Sequence, residues 1–276
     1  MARASKIEAP EVTLRPLHSN AGVEAWYRER LQKLARAMAI DILRRIKHRY
    51  RPVSARIGMD DDPVVVLRTV MRLWGKRWQK RFDDMAKDIA AMFAERSQEH
   101  LEAAFRKRLK EAGFTVRFRP SERMTSALRA VIAENVNLIR SIPQQFLKDV
   151  QSAVWTSAMR GGSMHELSKE IRSRYGVTYR RAAIISRDQS NKARAVMEEA
   201  RRSELGIETA IWVHSHAGKQ PRPTHVAMHG KTYRIAEGMW DPAVQKFVWP
   251  GTEINCRCTS RAVMPSAAPK HRARVI

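Results

Sequence analysis

The sequence predicts an α+β protein: a mostly α-helical N-terminal region followed by a small, loop-rich α+β module at the C-terminus. Two patterns carry that expectation. From about residue 23 to 205, apolar residues recur every three or four positions, the spacing of one helix face. After Gly206 that period stops, and prolines, glycines and histidines separate short β-branched and aromatic runs. A third observation bears on partners rather than fold: 52 Lys+Arg against 28 Asp+Glu leave a formal net charge of +24.

Taken in order, residues 1–20 mix charges with prolines and read as an irregular basic arm, and 21–120 read as a helical region. Leu31, Leu34, Met38, Ile42 and Ile46 mark its first helix, which ends in Arg44, Arg45, Lys47, Arg49 and Arg51. Cations suit a helix C-terminus because they face the negative end of the macrodipole. Five within eight residues exceed what a terminus needs, so contact with phosphate or an acidic surface is expected there. Asp62-Pro63 has the form of an N-cap with proline at the first helical position. The next helix carries Val70, Trp74, Trp78, Phe82, Met85, Ile89 and Phe93, a stripe expected to pack in the core, and runs on to Gly113. Arg106, Lys107, Arg108 and Lys110 lie on its outer faces as a second candidate site for polyanions or acidic proteins. Thr115 to Phe118 alternates briefly, like a short strand.

Residues 121–205 read as several further helices. One opens at Pro120-Ser121 and runs to Arg140, and a second is capped at Ser141 and reaches Arg160. A third starts at the capping box Ser163-x-x-Glu166 and closes near Gly176, and the last is capped at Thr178 and stopped by Gly206. In the module at 206–265, Ile211–Val213, Phe247–Trp249 and Arg261–Val263 are strand candidates, with Trp212, Trp240 and Trp249 as its expected core. Residues 266–276 read as a flexible basic tail.

Composition bounds the function. A net charge of +24 attracts polyanions over long range, so DNA or an acidic protein is the expected partner class. The first twenty residues lack an apolar stretch of signal-peptide length, and no apolar run approaches the roughly 18 residues of a membrane span. No membrane partner and a cytoplasmic protein are therefore expected. The two cysteines, Cys256 and Cys258, are one residue apart, where a disulfide would be strained; reduced thiols or metal ligands suit them better.

Those cysteines follow His225 and His229, which share a face if their segment is helical. Two imidazoles and two thiolates form a donor set for tetrahedral zinc, so a structural zinc on His225, His229, Cys256 and Cys258 is a candidate, with His214 and His216 as competing ligands. Packed, hydrogen-bonded side chains are the competing reading. A thiol beside Arg257 with a histidine base would be another use of the same residues, but no thiol-hydrolase pattern surrounds it. A metal nuclease using His225 and His229 would explain the charge, yet Glu208, Glu237, Asp241 and Glu253 form no compact acidic motif. Pro250-Gly251 is a turn pair, Asn255 suits a tight bend, and Gly230 limits the helix beyond His229. Arg222 is placed to dock the module by holding a carboxylate of the helical region.

In these residues the chain resembles the phage head-morphogenesis family, the Mu F-like minor head proteins of tailed bacteriophages. The resemblance rests on Ser186-Arg187-Asp188-Gln189-Ser190-Asn191-Lys192, Leu205-Gly206-Ile207, Trp212, Arg222-Pro223-Thr224-His225, His229-Gly230-Lys231 and the run from Pro250 through Cys256-Arg257-Cys258. Glu134 to Pro143 and Gly161-Gly162-Ser163 are also similar, so it covers roughly residues 130–262. Gly218 and Gln220 stand where the family usually has an acidic residue and an arginine. The resemblance implies a non-enzymatic minor structural protein of the phage head, required for head assembly. It implies association with the portal protein, with capsid or scaffolding proteins and with the procapsid interior. It implies presence in the host cytoplasm during assembly and in the virion head. The charge adds non-specific contact with DNA. A DNA-binding or DNA-processing protein is the alternative.

Overall fold

The computed structural model describes residues 12–49, 63–217, 220–264 and 274–275. In chain order these form β1 (Val12–Thr13), α1 (Ala21–Arg49), α2 (Pro63–Glu111), β2 (Val116–Arg117), α3 (Glu122–Met159) and α4 (Met164–Glu204). The order continues with β3 (Thr209–Val213), α5 (Pro223–Ala227), β4 (Thr232–Arg234), β5 (Met239–Asp241), β6 (Lys246–Val248), β7 (Thr259–Met264) and β8 (Arg274–Val275). A helical N-terminal region and a small strand-containing C-terminal part make the protein α+β, as its patterning predicts. Asp62, the expected cap of α2, lies outside the described residues, as do Arg51 and most of the basic tail.

Two compact units emerge, and neither follows the sequence order of the expected domains. One comprises Met1–Glu24, Phe93–Val131 and Arg187–Ile276; the other comprises Ala25–Met92 and Ile132–Ser186.

The second unit is all helix. Its core is built from Tyr27, Leu31, Met38, Ile42 and Ile46 of α1, with Trp78, Phe82 and Ile89 of α2. Ile139, Ile142, Phe146 and Val150 of α3 and Leu167, Ile171 and Ala182 of α4 complete it. Each large apolar side chain among them contributes about 1.5–3 kcal/mol when fully buried. The Tyr27 hydroxyl donates to Asn135 Oδ1 at 2.8 Å, satisfying two polar groups buried among them. The aromatic stripe of α2 is core as expected at Trp78 and Phe82, whereas Met85 is exposed.

Two helix breaks expected from the sequence are absent. Pro143 lies inside α3, where its missing N–H forfeits one backbone bond. The buried face runs unbroken from Ile139 through Ile142 and Phe146 to Val150, and that burial outweighs the lost bond. Ser141 does not cap a new helix: its hydroxyl donates to the Leu138 carbonyl at 2.6 Å and accepts from Arg181 at 3.0 Å. Gly176 and Thr178 likewise lie within α4. Thr178 Oγ1 donates back to the Arg174 carbonyl at 3.1 Å, the bond of a mid-helix threonine rather than of a cap. The expected capping box does form, with the Ser163 N–H donating to Glu166 at 3.0 Å and the Glu166 N–H to Ser163 Oγ at 3.2 Å.

The other unit holds an antiparallel sheet in the order β1-β7-β3-β4. Central register pairs Ala210 with Ala262 and Trp212 with Ser260. Ala210, Trp212, Tyr233 and Ala262 are buried. Residues 12–13 are therefore not part of an irregular arm. They pair with Val263 and Met264, and Leu14 and Leu17 that follow are buried. At the other end, Arg274–Val275 pairs in parallel with Val116–Arg117, so the C-terminal segment supplies a strand. Gly206 ends α4 with φ of 69°, and the Ile207 N–H returns to the Arg202 carbonyl at 2.9 Å.

Candidate functional site

The C-terminal module is anchored on α4 by buried arginines. Arg194 donates to the carbonyls of Pro250 and Cys258, both at 3.0 Å, and Arg202 donates to Ser260 Oγ at 2.7 Å. Glu198, buried between them, pairs with Arg194 at 2.5 Å and also with Arg202. One turn round, buried Arg201 pairs with Glu102 and, at 2.7 Å, with Glu204, and it donates to the Arg119 carbonyl at 3.0 Å. Three guanidiniums thus face three carboxylates. A buried charge is tolerable only when paired and hydrogen-bonded in this way.

This scaffold fixes the 250–258 loop. Gly251 has φ of 96°, and a β-carbon there would run into Arg194 and approach the Cys258 carbonyl at 3.3 Å; both conditions call for glycine. Its N–H points at Cys256 Sγ, 3.4 Å away. Asn255, at φ of 59°, sits at the bend that follows. Its N–H donates to Asp188 at 2.6 Å, and its side-chain oxygen accepts from Arg187 at 2.7 Å. Arg222 holds the Ile254 carbonyl at 2.8 Å rather than the carboxylate expected of it. Burial pushes the Asp188 carboxyl up, against the downward pull of the Asn255 N–H and of the Arg187 and Arg222 charges.

The loop delivers both thiols to His225. His225 Nδ1 lies 3.5 Å from Cys256 Sγ and 3.8 Å from Cys258 Sγ, and all three residues are buried. His225 Nε2 faces Asp241 Oδ2 at 3.3 Å. Asp241 is fully buried at the end of β5 and accepts from Thr224 Oγ1 at 3.2 Å and from the Ala243 N–H at 2.9 Å. The rings of Trp212 and His225 meet edge to face, with centroids 5.2 Å apart. Neither cysteine is in a disulfide. The Cys258 side chain stabilises a Cys256 thiolate against the penalty of burial, with help from His225 and the Cys258 and Gly251 N–H groups, so Cys256 ionises far more readily than an ordinary thiol. The neighbouring Cys256 and burial hold the proton on Cys258.

His229 is not part of this cluster. Helix α5 ends at Ala227, so the chain turns before His229 can align with His225, and Gly230 completes the turn at φ of 78°. His229 is exposed, and its Nδ1 accepts the His214 N–H at 3.0 Å. His214 Nδ1 in turn accepts the His216 N–H at 3.1 Å. Burial, then the adjacent His216, hold the His214 pKa down. The 214–229 histidines therefore tie one loop to another. Nor is Trp240 core: it is 52% exposed and stacks edge-on with Phe247 on the small β5–β6 hairpin, while Trp212 is fully buried. Trp249 donates its indole N–H to the Ile235 carbonyl at 2.7 Å.

An open cavity of about 360 Å³ adjoins the cluster, lined by His214, Arg222, His225, Cys256, Arg257 and Cys258 among others. The remaining candidate residues lie elsewhere on helices. Arg44, Lys47 and Arg49 are exposed at the end of α1, while Arg45 is tied to Asp41 at 2.9 Å and lies over the Trp74 ring. Arg106, Lys107 and Lys110 are exposed on α2, and Arg108 pairs with Glu111 at 3.0 Å.

Sequence reasoning missed two parts of this site. Asp241 carries no motif, and only the fold of the β5–β6 hairpin brings it to His225. The Arg194-x-x-x-Glu198-x-x-x-Arg202 spacing is visible in the sequence, but alternating charges one turn apart ordinarily mark a solvated face.

Comparisons with known proteins agree with the residues that carry the site. The profile of the family described as phage Mu protein F like protein matches residues 148–261. The matched span takes in α4, the sheet strands β3 and β4, part of β7, His225 and both cysteines, and leaves out the run from Glu134 to Pro143. A protein of Haemophilus influenzae described as uncharacterized is 28% identical over 256 residues, 91% of this chain and 55% of that protein. The chain thus spans about half the length of that relative, and the likeness extends beyond the family region. No solved structure matches. Residues 148–261 of this chain, with the buried arginine scaffold and the loop it fixes, are thus similar to the phage Mu protein F like family.

Proposed function

We propose that the chain is a minor structural protein of a tailed-phage head that acts in head morphogenesis by binding rather than by turnover. The family match over residues 148–261 is the observation that carries this reading. In it, the protein associates with the portal and with capsid or scaffolding proteins at the procapsid interior, is present in the host cytoplasm during assembly, and enters the virion head. The net charge of +24 and the exposed cations on α1 and α2 support contact with packaged DNA or an acidic partner surface. Among the described residues, no helix is long and apolar enough to cross a membrane.

The alternative, a metal-dependent nuclease using His225 and His229, finds less support. His229 is turned away from His225, Glu237 pairs with Arg234, Glu253 pairs with Lys246, and Asp241 is buried behind His225. The test is incubation of the full chain with plasmid and divalent metals over a range of salt, beside capture of the portal protein from infected lysate. Salt-sensitive DNA retention without cleavage, together with portal capture, is expected. Cleavage abolished by His225→Ala would overturn the binding reading.

A further inference from the structure

We propose that His225 Nδ1, Cys256 Sγ and Cys258 Sγ bind one zinc ion, with a water from the adjoining cavity as the fourth ligand. The site does not depend on the assembly reading, because its geometry stands whatever the protein binds.

Spacing is the first argument. Zinc bonds of about 2.3 Å to sulfur and 2.05 Å to nitrogen, at a tetrahedral angle, place a nitrogen and a sulfur ligand about 3.6 Å apart. The two nitrogen–sulfur separations are 3.5 and 3.8 Å. All three ligand atoms lie within 4.8 Å of one another, so one ion reaches them without rearrangement of the backbone. An imidazole packed against two thiols by chance has no reason to present the same nitrogen to both at that separation.

The groups behind the ligands are the second argument. A metal-bound histidine ordinarily offers its other ring nitrogen to a carboxylate, which fixes its orientation and raises its basicity. Asp241 stands at that position, 3.3 Å from Nε2, and is itself held by Thr224 and the Ala243 N–H. A fully buried carboxylate 3.3 Å from one nitrogen of a histidine whose other nitrogen faces two thiols has the placement of a ligand–carboxylate pair, although Nε2 makes no hydrogen bond in this conformation. One thiolate is served too: the Gly251 N–H points at Cys256 Sγ, while the buried Trp212 indole N–H has no hydrogen-bond partner among the described residues. Two thiolates and an imidazole are a soft to intermediate donor set, which selects zinc over magnesium or calcium.

The ligand set differs from the one the sequence predicts, since His229 is engaged with the His214 backbone and plays no part. The fourth position opens toward the cavity lined by Arg222 and Arg257. The ion links α5 to the 250–258 loop, whose last residue leads into β7, so binding it stabilises the module directly.

The test uses the full chain purified without added chelator. Elemental analysis is expected to find about one zinc per chain, and a cobalt-loaded sample to show thiolate charge-transfer absorption with tetrahedral ligand-field bands. His229→Ala keeps the metal; His225→Ala, Cys256→Ser and Cys258→Ser each lose it. Because the cysteine variants risk misfolding, a second measurement is made on the wild-type protein. Chelation is expected to free two thiols for a colorimetric reagent and to lower Tm, and added zinc to reverse both. A folded, metal-free wild-type chain that takes up no zinc would overturn the proposal, and so would His229→Ala losing the ion as fully as His225→Ala.

Discussion

The end of α1 and the end of α4 are both crowded with arginine, and they use it in opposite ways. At Arg44, Lys47 and Arg49 the cations stand in solvent and form no ion pair with a described residue. At Arg194, Arg201 and Arg202 the guanidiniums are all but sealed from solvent, each held to a carboxylate and to the backbone or side chain of a segment distant in sequence. Exposed cations add little to stability and much to long-range attraction. Buried, paired ones add little field outside the protein but dictate where a loop must run. Composition registers both as the same surplus of positive charge.

The sharpest way to break that contrast is Glu198→Ala, which leaves Arg194 and Arg202 buried without their shared counter-charge. A loss of about 3–5 kcal/mol is expected, read by chemical denaturation; a loss under about 1 kcal/mol would show that the pairs are ornamental. Next is Gly251→Ala, which sets a β-carbon against Arg194 at a positive φ. About 2 kcal/mol of destabilisation is expected, with the same measurement as its check.

Asp41 gives an intermediate case on α1. Burial raises its carboxyl pKa, but hydrogen bonds from Trp78 and Arg45, with the Arg45 and Arg77 charges, outweigh this and hold it below the ordinary value. A carboxyl depressed in the folded state contributes stability that is present above its unfolded pKa of about 3.9 and is lost as pH falls through the folded value. Trp78→Phe removes the 2.8 Å indole bond, so about 1–2 kcal/mol should be lost at neutral pH. The difference between variant and wild type should shrink as pH drops below about 4, in thermal melts across that range. A constant difference would assign the loss to packing alone.

The smallest effect on stability belongs to the triple variant Arg44→Ala, Lys47→Ala and Arg49→Ala. Its unfolding free energy should shift by no more than about 0.5 kcal/mol per site. If these residues meet DNA phosphates, the salt dependence of binding should flatten, by about 0.9 in the log–log slope for each phosphate no longer neutralised. An unchanged slope would remove α1 from the DNA-facing surface.

Most helices are legible in the sequence because the apolar period and the glycine stops at 113, 161 and 206 are local signals. The boundaries expected at Ser141 and Thr178 are absent because a hydroxyl near a proline or glycine looks alike as a cap and as a mid-helix donor. Only the burial of Ile142, Phe146 and Ala182 decides between them. At the site, His225, Cys256, Cys258 and Gly251 stand out by residue type and spacing. Asp241 and Glu198 do not. Asp241 meets His225 only through the fold of a hairpin, and Glu198 balances arginines that reach 56 to 64 residues along the chain, a span no periodicity covers.

Strand β7 lies between β3 and β1, with Val263 and Met264 paired to residues 13 and 12. A fragment cut at residue 206 would look like a tidy excision on a linear map. It would lose β1 and the α4 guanidiniums together, turning an interior strand into a bare edge of the kind that recruits other chains. Residues 206–264 expressed alone should therefore clump rather than fold, and deletion mapping of this protein has to preserve both ends at once.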